Sequence, residues 1–373
     1  MSSAKLQEMM DQIKSGNLFA HGIVVVRHGY LVWERYLDPA YDANTTHLLY
    51  SVTKSFTSCL VGIALEKGLI RNVSQRMVSF FQDKTIDDPD GRKQRVTVEN
   101  LLMMRPGMKW DESSAPYTTP ANDVYHINND PDGLQYCLDL PMVAEPGALW
   151  HYNTGSSHIL SGIVQRATGM TTLEFARQNL FEPLGIRNVH WSKDRGGTYK
   201  GGFDLQLTPR DMAKFGYLYL NGGRWGSKQI VPAEWVRRST SSLTRLDTNT
   251  GYGYQWWTLP GFNIFYAAGL YGQHIFVAPD ADLVFVTTSA VSSSQHNQLL
   301  ELFTDYVLTA VTDQGSQGGT QPGQATQDPQ GIPGFPMTSL ILGLIAASIV
   351  LGLRKPLLSP SKCHHRQIAI ARM

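Results

Sequence analysis

A serine and a lysine stand three positions apart at the start of an apolar segment, "LLYSVTKSFTSCLVGIALEKG" (48–68). A serine hydroxyl is a weak nucleophile until a base removes its proton. If the segment is a helix, Lys54 lies one turn beyond Ser51, and its amine can reach the hydroxyl oxygen. An amine is a base only when it is uncharged, and burial among apolar neighbours lowers its pKa. The spacing therefore indicates a nucleophile with its own base.

The same pair allows a simpler interpretation. Serine is common at helix starts because its side chain accepts hydrogen bonds from free backbone N–H groups, and Lys54 could be an ordinary surface lysine. A four-residue pattern with two fixed positions also recurs by chance. The choice between the two interpretations depends on the rest of the chain.

Two later stretches could complete such a site. In "EPGALWHYNTGSSHILSGIV" (145–164), Tyr152 stands in a polar turn directly before an apolar helix, although a packing role for this tyrosine is the alternative. In "YAAGLYGQHIFV" (266–277), glycines and small residues join two strand-like runs. Glycines at such a junction let the backbone approach a ligand closely.

The elements that must position these residues are readable from the sequence patterns. "GIVVVRHGYLVWERY" (22–36) predicts a β-hairpin around His28-Gly29, and the runs 262–268, 273–278 and 283–289 predict a meander. Residues 70 to 250 are mostly helical and loop-rich. We therefore predict an α+β fold, in which an antiparallel β-sheet is flanked by helices and carries a mainly helical inserted subdomain.

Composition excludes several classes of function. The chain has 373 residues, 42% of them hydrophobic, which is enough for a sizeable core. Lys+Arg is 32 and Asp+Glu is 31, so there is no electrostatic case for nucleic acid binding. Cys59, Cys137 and Cys363 form no disulfide or metal pattern. We expect no metal and no organic cofactor, and the oligomeric state stays open.

The C-terminal region differs from the rest. "SLILGLIAASIVLGL" is almost entirely apolar, and residues 332–353 would span about 30 Å as a helix, the thickness of a bilayer core. The predicted regions are a folded domain (1–312), a flexible Gly/Gln/Pro-rich stalk (313–331), a transmembrane helix (332–353) and a basic tail (354–373).

These regions predict a single-pass protein with a lipid bilayer as partner. The basic tail favours a cytoplasmic C-terminus and an extracytoplasmic domain. The N-terminal stretch lacks the apolar core of a signal peptide. A start that lies further upstream, or a tail-anchored chain with a cytoplasmic domain, would explain this.

At the three stretches quoted first, the chain resembles serine hydrolases of the penicillin-recognising superfamily. It is most similar to the class C β-lactamase branch with its esterases and 6-aminohexanoate-dimer hydrolases, and S-x-x-K is one of the superfamily's motifs. The resemblance covers about residues 15–311. It extends to "TVENLLMMRPGMKWDE" (97–112), "LFEPLGI" (180–186) and "GYGYQWW" (251–257), in the same order.

The resemblance implies a β-lactamase/transpeptidase-like fold and specific roles. Ser51 would be the nucleophile, with Lys54 and Tyr152 as its proton-transfer partners. The backbone N–H groups of Ser51 and Leu270 would form the oxyanion hole. The substrate pocket would include Asn153, Thr154, Trp256, Trp257, Gly269 and Tyr271.

Two motif positions depart from the family pattern. The family's Tyr-x-Asn motif falls on Tyr152 and Thr154, so its asparagine is absent there, although Asn153 is adjacent. The third motif, often Lys-Thr-Gly, lines up with Ala267-Ala268-Gly269 and lacks its cation. In β-lactam-processing relatives that lysine helps to hold the substrate carboxylate.

We therefore expect a serine hydrolase that cleaves small-molecule esters or amides through an acyl-enzyme. A β-lactamase or a peptidoglycan D-Ala-D-Ala peptidase is the alternative within the superfamily. A non-catalytic surface binding protein on the same fold is the alternative from a different class, because a fold does not fix a function.

Overall fold

Strands from both ends of the folded region meet in one antiparallel sheet. The structure is a computed structural model that describes residues 1–312. The strands are β1 Ala20–Arg27, β2 Tyr30–Tyr36, β3 His47–Leu48, β4 His190–Trp191, β5 Leu205–Leu207, β6 Arg224–Trp225, β7 Lys228–Gln229, β8 Thr244–Arg245, β9 Gly251–Tyr252, β10 Trp257–Leu259, β11 Ile264–Gly269, β12 Gln273–Ala278 and β13 Leu283–Ser289. The main sheet has eight strands in the order β2-β1-β13-β12-β11-β10-β9-β8, and β3-β5-β4 and β6-β7 form two small sheets.

Helices cover both faces of this sheet and fill the region between β3 and β8. The α-helices are α1 Ser3–Ser15, α2 Thr53–Glu66, α3 Val98–Leu102, α4 Asp123–Asn129, α5 Gly133–Asp139, α6 Thr154–Thr168, α7 Thr172–Ala176, α8 Pro209–Leu220, α9 Ala233–Ser239 and α10 His296–Glu301. Two π-helical turns, Arg177–Phe181 and Leu302–Val307, continue α7 and α10.

The predicted hairpin and meander are both present. The turn between β1 and β2 uses His28 and Gly29, both at positive φ, as tight hairpins require. The strand β1 also pairs with β13, so the N-terminal hairpin joins the late meander β11–β13. The α+β part of the predicted fold class is confirmed.

Alternation along β1 divides the core into two clusters. Val24 and Val26 face the cluster shared with α2, α6 and α8, whereas Ile23 and Val25 face the cluster shared with α1 and the C-terminal helix. Successive strand residues point to opposite faces of a sheet. The unbroken apolar run "GIVVV" therefore reflects a strand that is covered on both sides.

The predicted transmembrane helix is wrong as part of the fold class. No helix within residues 1–312 is long and apolar enough to cross a membrane. The longest of them, α6, has 15 residues and spans only about 22 Å, against about 30 Å of hydrocarbon. Residues 332–353, on which the span was predicted, lie outside the described part of the chain.

The inferences that depended on this span are corrected with it. They are the single-pass membrane localisation, the extracytoplasmic domain with a cytoplasmic tail, and the lipid bilayer as a partner. The boundaries of the stalk and of the basic tail also lie outside the described residues. The domain boundary at residue 312 stays a prediction.

Helix α8 packs against the sheet through a glycine, which generates a stability prediction. A Cβ added to Gly216 would lie 2.6 Å from Val284 Cγ1 and 2.8 Å from Ile275 Cγ2. Alanine in a helix interior normally gains about 1 kcal/mol over glycine, but overpacking costs about 1–3 kcal/mol. We expect Gly216→Ala to lower the free energy of unfolding by about 1 kcal/mol, measured by urea denaturation.

Gly261→Ala is the matched control, because no heavy atom lies within 4 Å of the added Cβ. Its free energy of unfolding should change by less than about 0.5 kcal/mol. A Gly216→Ala protein as stable as the wild type would contradict the close helix–sheet contact.

Candidate active site

Ser51 lies in a short 3₁₀ turn, Tyr50–Val52, that leads directly into α2. The residue at the N-cap position of α2 is Val52, and no side chain caps the helix. Ser51 therefore does not serve as a helix cap. Its neighbour Tyr50 has a positive φ of 47°, a rare backbone conformation for a non-glycine residue. Such conformations cluster at functional sites.

The amine of Lys54 is buried beside the Ser51 hydroxyl. Its Nζ lies 2.9 Å from Ser51 Oγ and 3.0 Å from the carbonyl oxygen of Gly202. The residue is only 2% exposed. Burial lowers the pKa of Lys54 to about 8, and the nearby carboxylate of Glu112 acts in the opposite direction. About a tenth of the amine is then uncharged at pH 7.

A segment before β5 holds α2 in this position. The carbonyl oxygens of Gly201 and Gly202 accept hydrogen bonds from Thr57 Oγ1 and Lys54 Nζ. A Cβ on Gly202 would lie 2.7 Å from Thr154 Cγ2. The close approach of three chain segments therefore requires glycine there.

Tyr152 lies beside Ser51 and Lys54, two residues before the start of α6. Lys54 Nζ lies 4.8 Å from the centroid of its ring. Burial raises the pKa of Tyr152 well above its usual range, as does the Glu112 carboxylate, while the adjacent Ser51 hydroxyl acts to lower it. The phenol is therefore protonated at neutral pH. Of these two groups, Lys54 is the one that can accept a proton.

The end of β11 packs directly on the 3₁₀ turn that carries Ser51. A Cβ on Gly269 would lie 2.3 Å from the Leu49 carbonyl oxygen and 3.2 Å from the Ser51 backbone nitrogen. Leu270 follows and borders the same cavity as Ser51. The arrangement suits the predicted oxyanion hole of the Ser51 and Leu270 N–H groups, which stays a prediction.

Two cavities meet at Ser51. The first, here called the aromatic cavity, has a volume of about 460 Å³. Its lining is Ser51, Glu112, Tyr117, Tyr152, Trp257, Tyr266, Ala268, Gly269, Leu270, Tyr271, Ser292 and His296. The second, here called the acidic cavity, has about 270 Å³ and includes Glu112 and Asp204. Ser51 and Glu112 line both.

The Glu112 carboxylate is fixed at the junction of the two cavities. Its Oε2 accepts hydrogen bonds from the Thr154 backbone N–H at 2.9 Å and from the Trp110 indole. Thr154 is the first residue of α6, and a helix N-terminus stabilises negative charge. In the described part of the chain, no lysine or arginine lines either cavity.

A family model described as Beta-lactamase matches residues 4–303. The chain belongs to this family. The 6-aminohexanoate-dimer hydrolase of Paenarthrobacter ureafaciens is 24% identical over 289 residues, 71% of each chain. Lovastatin esterase of Penicillium rubens is 26% identical over 155 residues, 39% of this chain and 36% of the esterase.

The fold of the beta-lactamase family also appears among solved structures. A candidate 6-aminohexanoate-dimer hydrolase from Bacillus anthracis superposes with a TM-score of 0.68 at 23% identity, and the match covers 82% of this chain and 81% of that one. The predicted superfamily is confirmed, and so is the predicted enzyme class. The protein is a serine hydrolase of the beta-lactamase fold related to esterases and amidases.

In this member of the beta-lactamase family, most of the predicted site residues lie together. Trp257, Gly269 and Tyr271 line the aromatic cavity, and Thr154 borders the acidic one. Two predicted pocket residues lie elsewhere. They are Asn153, whose side chain caps α6 by accepting from Ser156 N–H, and Trp256, which is fully buried.

The third motif also differs from its expected placement. Ala267 is 1% exposed and faces the core, whereas Ala268 borders the aromatic cavity. Alternation along β11 explains this, because neighbouring strand residues face opposite sides.

Sequence reasoning missed several cavity or site residues, among them Glu112, Tyr117, Gly202 and His296. Glu112 ends the stretch "TVENLLMMRPGMKWDE", but nothing in that stretch indicates that its carboxylate reaches Ser51. The other three lie on loops or at a helix start far from the motifs, so only the tertiary structure brings them to the cavity.

The pKa of Lys54 generates a pH prediction. Below a pH of about 8 the amine is mostly protonated and cannot accept the Ser51 proton. Hydrolysis of p-nitrophenyl esters, measured as kcat/KM, should therefore rise with pH and level off above about 8. Lys54→Arg should lose roughly 10²–10⁴-fold in kcat/KM, because a guanidinium stays charged.

Lys93 provides the control, since burial also lowers its pKa but it lines neither cavity. Lys93→Gln should keep the wild-type pH profile. A wild-type profile that stays flat from about pH 6 to 9.5 would show that Lys54 is not the titrating base.

Proposed function

We propose that this serine hydrolase cleaves neutral esters or simple amides through an acyl-enzyme on Ser51. The observation that carries the proposal is the buried Lys54 amine, 2.9 Å from Ser51 Oγ and in no ion pair within the described residues. A lysine placed in this way is a base rather than a surface charge. It activates the hydroxyl at the point where both cavities open.

The proposed reaction has two halves. In the first, Ser51 Oγ attacks the carbonyl carbon while its proton passes to Lys54, and the oxyanion forms at the N–H groups of Ser51 and Leu270. The leaving alcohol or amine departs with a proton supplied through Tyr152 and Lys54. In the second, water attacks the acyl-enzyme, and the acid is released while Ser51 recovers its proton.

The aromatic cavity is the proposed site for the acyl group. Its walls are formed largely by aromatic rings, among them Trp257, Tyr266 and Tyr271. Such walls bind uncharged groups through apolar area, at about 25 cal/mol per Å² buried. The relatives named as a 6-aminohexanoate-dimer hydrolase and as a lovastatin esterase support an ester or amide as substrate.

A β-lactam or D-Ala-D-Ala substrate is the weaker candidate. Its carboxylate would need a cation, and no lysine or arginine among the described residues lines either cavity. Among the described lining residues, Glu112 and Asp204 carry carboxylates, and that of Asp204 is already paired with Lys200 at 2.7 Å. A carboxylate placed beside them would lose its water without gaining a partner.

Covalent labelling tests the proposed nucleophile. A fluorophosphonate probe should label the wild-type protein, and Ser51→Ala should abolish both labelling and the turnover of short p-nitrophenyl esters. Ser58→Ala is the control, because Ser58 lies on the same helix and its buried hydroxyl has no hydrogen-bond partner in the described part of the chain. Labelling that persists in Ser51→Ala would place the nucleophile elsewhere.

A comparison of two substrates tests the proposed class. We expect kcat/KM for neutral short-chain esters to exceed that for chromogenic cephalosporins by at least about 10²-fold, or roughly 2.7 kcal/mol of transition-state binding. Ala268→Lys, which adds a cation at the cavity wall, should narrow the gap. Faster cephalosporin hydrolysis by the wild-type chain would make the β-lactamase assignment the leading one.

A further inference from the structure

Two histidines lie against each other at the wall of the aromatic cavity. His296, the first residue of α10, lines the cavity, and His274 on β12 is buried behind it at 2% exposure. Their Nε2 atoms are 3.2 Å apart, a hydrogen-bond distance. The proposed reaction uses neither residue. Because His296 lines the cavity proposed for the acyl group, it is placed to contact the substrate.

The hydrogen bonds around His274 define which nitrogen carries its proton. Thr287 Oγ1 donates its one proton to the carbonyl oxygen of Gly272, at 2.9 Å. Toward His274 it can therefore only accept, and His274 Nδ1 lies 3.1 Å away. Nδ1 of His274 is thus the donor. In a neutral imidazole the other nitrogen, Nε2, is then an acceptor.

The same argument continues to His296. Because Nε2 of His274 accepts, Nε2 of His296 must donate the hydrogen bond between them. A neutral His296 then has an unprotonated Nδ1. Burial lowers the pKa of both imidazoles, which keeps the pair uncharged at neutral pH. Within the described residues, no protein donor contacts Nδ1 of His296.

Nδ1 of His296 differs from the polar groups of most other residues that line the aromatic cavity. The hydroxyls of Tyr117, Tyr266, Tyr271 and Ser292 can each donate or accept. The Glu112 carboxylate accepts, but it lies at the junction with the acidic cavity. Among the described residues that line this cavity, His296 carries a neutral acceptor nitrogen on a ring whose orientation is set by a buried partner, His274.

We propose that His296 Nδ1 accepts a hydrogen bond from a hydroxyl or N–H group on the acyl part of the substrate. His296 is then a specificity-determining residue, and the enzyme prefers acyl chains that carry a donor over plain hydrocarbon chains. The proposal rests on the proposed function, in which the aromatic cavity holds the acyl group. A plain chain that covered Nδ1 would remove its water without replacing the hydrogen bond, which disfavours that substrate.

Matched esters test the preference. The substrates are p-nitrophenyl hexanoate and its 3-hydroxy and 6-hydroxy derivatives, each assayed with the full-length protein. At least one hydroxylated ester should have a kcat/KM roughly five- to tenfold above that of the hexanoate. If neither hydroxylated ester exceeds the hexanoate by more than about twofold, the proposal fails.

Variants of His296 separate a direct hydrogen bond from a general effect on the cavity. His296→Phe keeps an aromatic ring but has no acceptor. The kcat/KM of the preferred hydroxylated ester, divided by that of the hexanoate, should therefore fall to about one. His296→Asn can place an amide oxygen near the position of Nδ1, so it should retain part of the preference. An unchanged ratio in His296→Phe would overturn the proposal.

The protonation state can be measured without turnover. In the ¹⁵N-labelled protein near neutral pH, the two-bond ¹H–¹⁵N spectrum should show Nε2 of His296 protonated and Nδ1 unprotonated. The opposite tautomer would overturn the proposal. Wild-type protein that neither turns over any of the esters nor reacts with a fluorophosphonate would instead refute the proposed function. Equal turnover of all three esters would refute only the role of His296.

Discussion

The amine of Lys54 is buried beside Ser51 and forms no ion pair within the described residues, and the rest of the site depends on this burial. A buried ammonium loses its hydration, so the uncharged amine is favoured. The two oxygens beside it, Ser51 Oγ and Gly202 O, are neutral and do not restore the charged form. Every residue of α2 from Thr53 to Ala64 is buried. The burial that makes α2 a core helix is thus the same burial that lowers the pKa of its lysine.

This arrangement explains where glycine is needed. Distant parts of the chain must approach the Ser51 turn closely enough to leave no room for water around Lys54. Gly202 approaches from the segment before β5, and Gly269 approaches from the end of β11. At both positions a Cβ would collide with a neighbouring segment. The glycines serve the close packing that keeps the amine dry.

Much of the fold and part of the site follow from the sequence, because they depend on local patterns. The hairpin and the meander show alternation with turn residues between them, and the Ser51–Lys54 pair needs only the rise of a helical turn.

The two adjacent tryptophans, Trp256 and Trp257, show what such local patterns do not predict. Trp256 enters the core and Trp257 the cavity, and their phase is set by Gln255, a buried residue at a φ of 62° just before β10. A pattern of residue types does not reveal such a kink.

Residues that reach the site by tertiary packing alone are equally hidden. Glu112 and His296 lie on segments without a motif of their own, and their functional groups become visible only when Thr154 and His274 are seen beside them.

Asn153 is the opposite case, a residue of a sequence motif that lines neither cavity. It stands within a motif, but the first turn of α6 has free backbone N–H groups, and its side chain satisfies one of them.

Glu112 links substrate recognition to the strength of the base. Its carboxylate, fixed at the start of α6, gives both cavities a negative charge that no lysine or arginine on their described walls offsets. The same charge raises the pKa of Lys54 against the effect of burial. Removing the carboxylate would make the cleft more tolerant of anionic substrates and would also lower the pKa of Lys54 further. A weaker base would accept the Ser51 proton less readily, so in the proposed reaction the charge that disfavours anions would also maintain the basicity of Lys54.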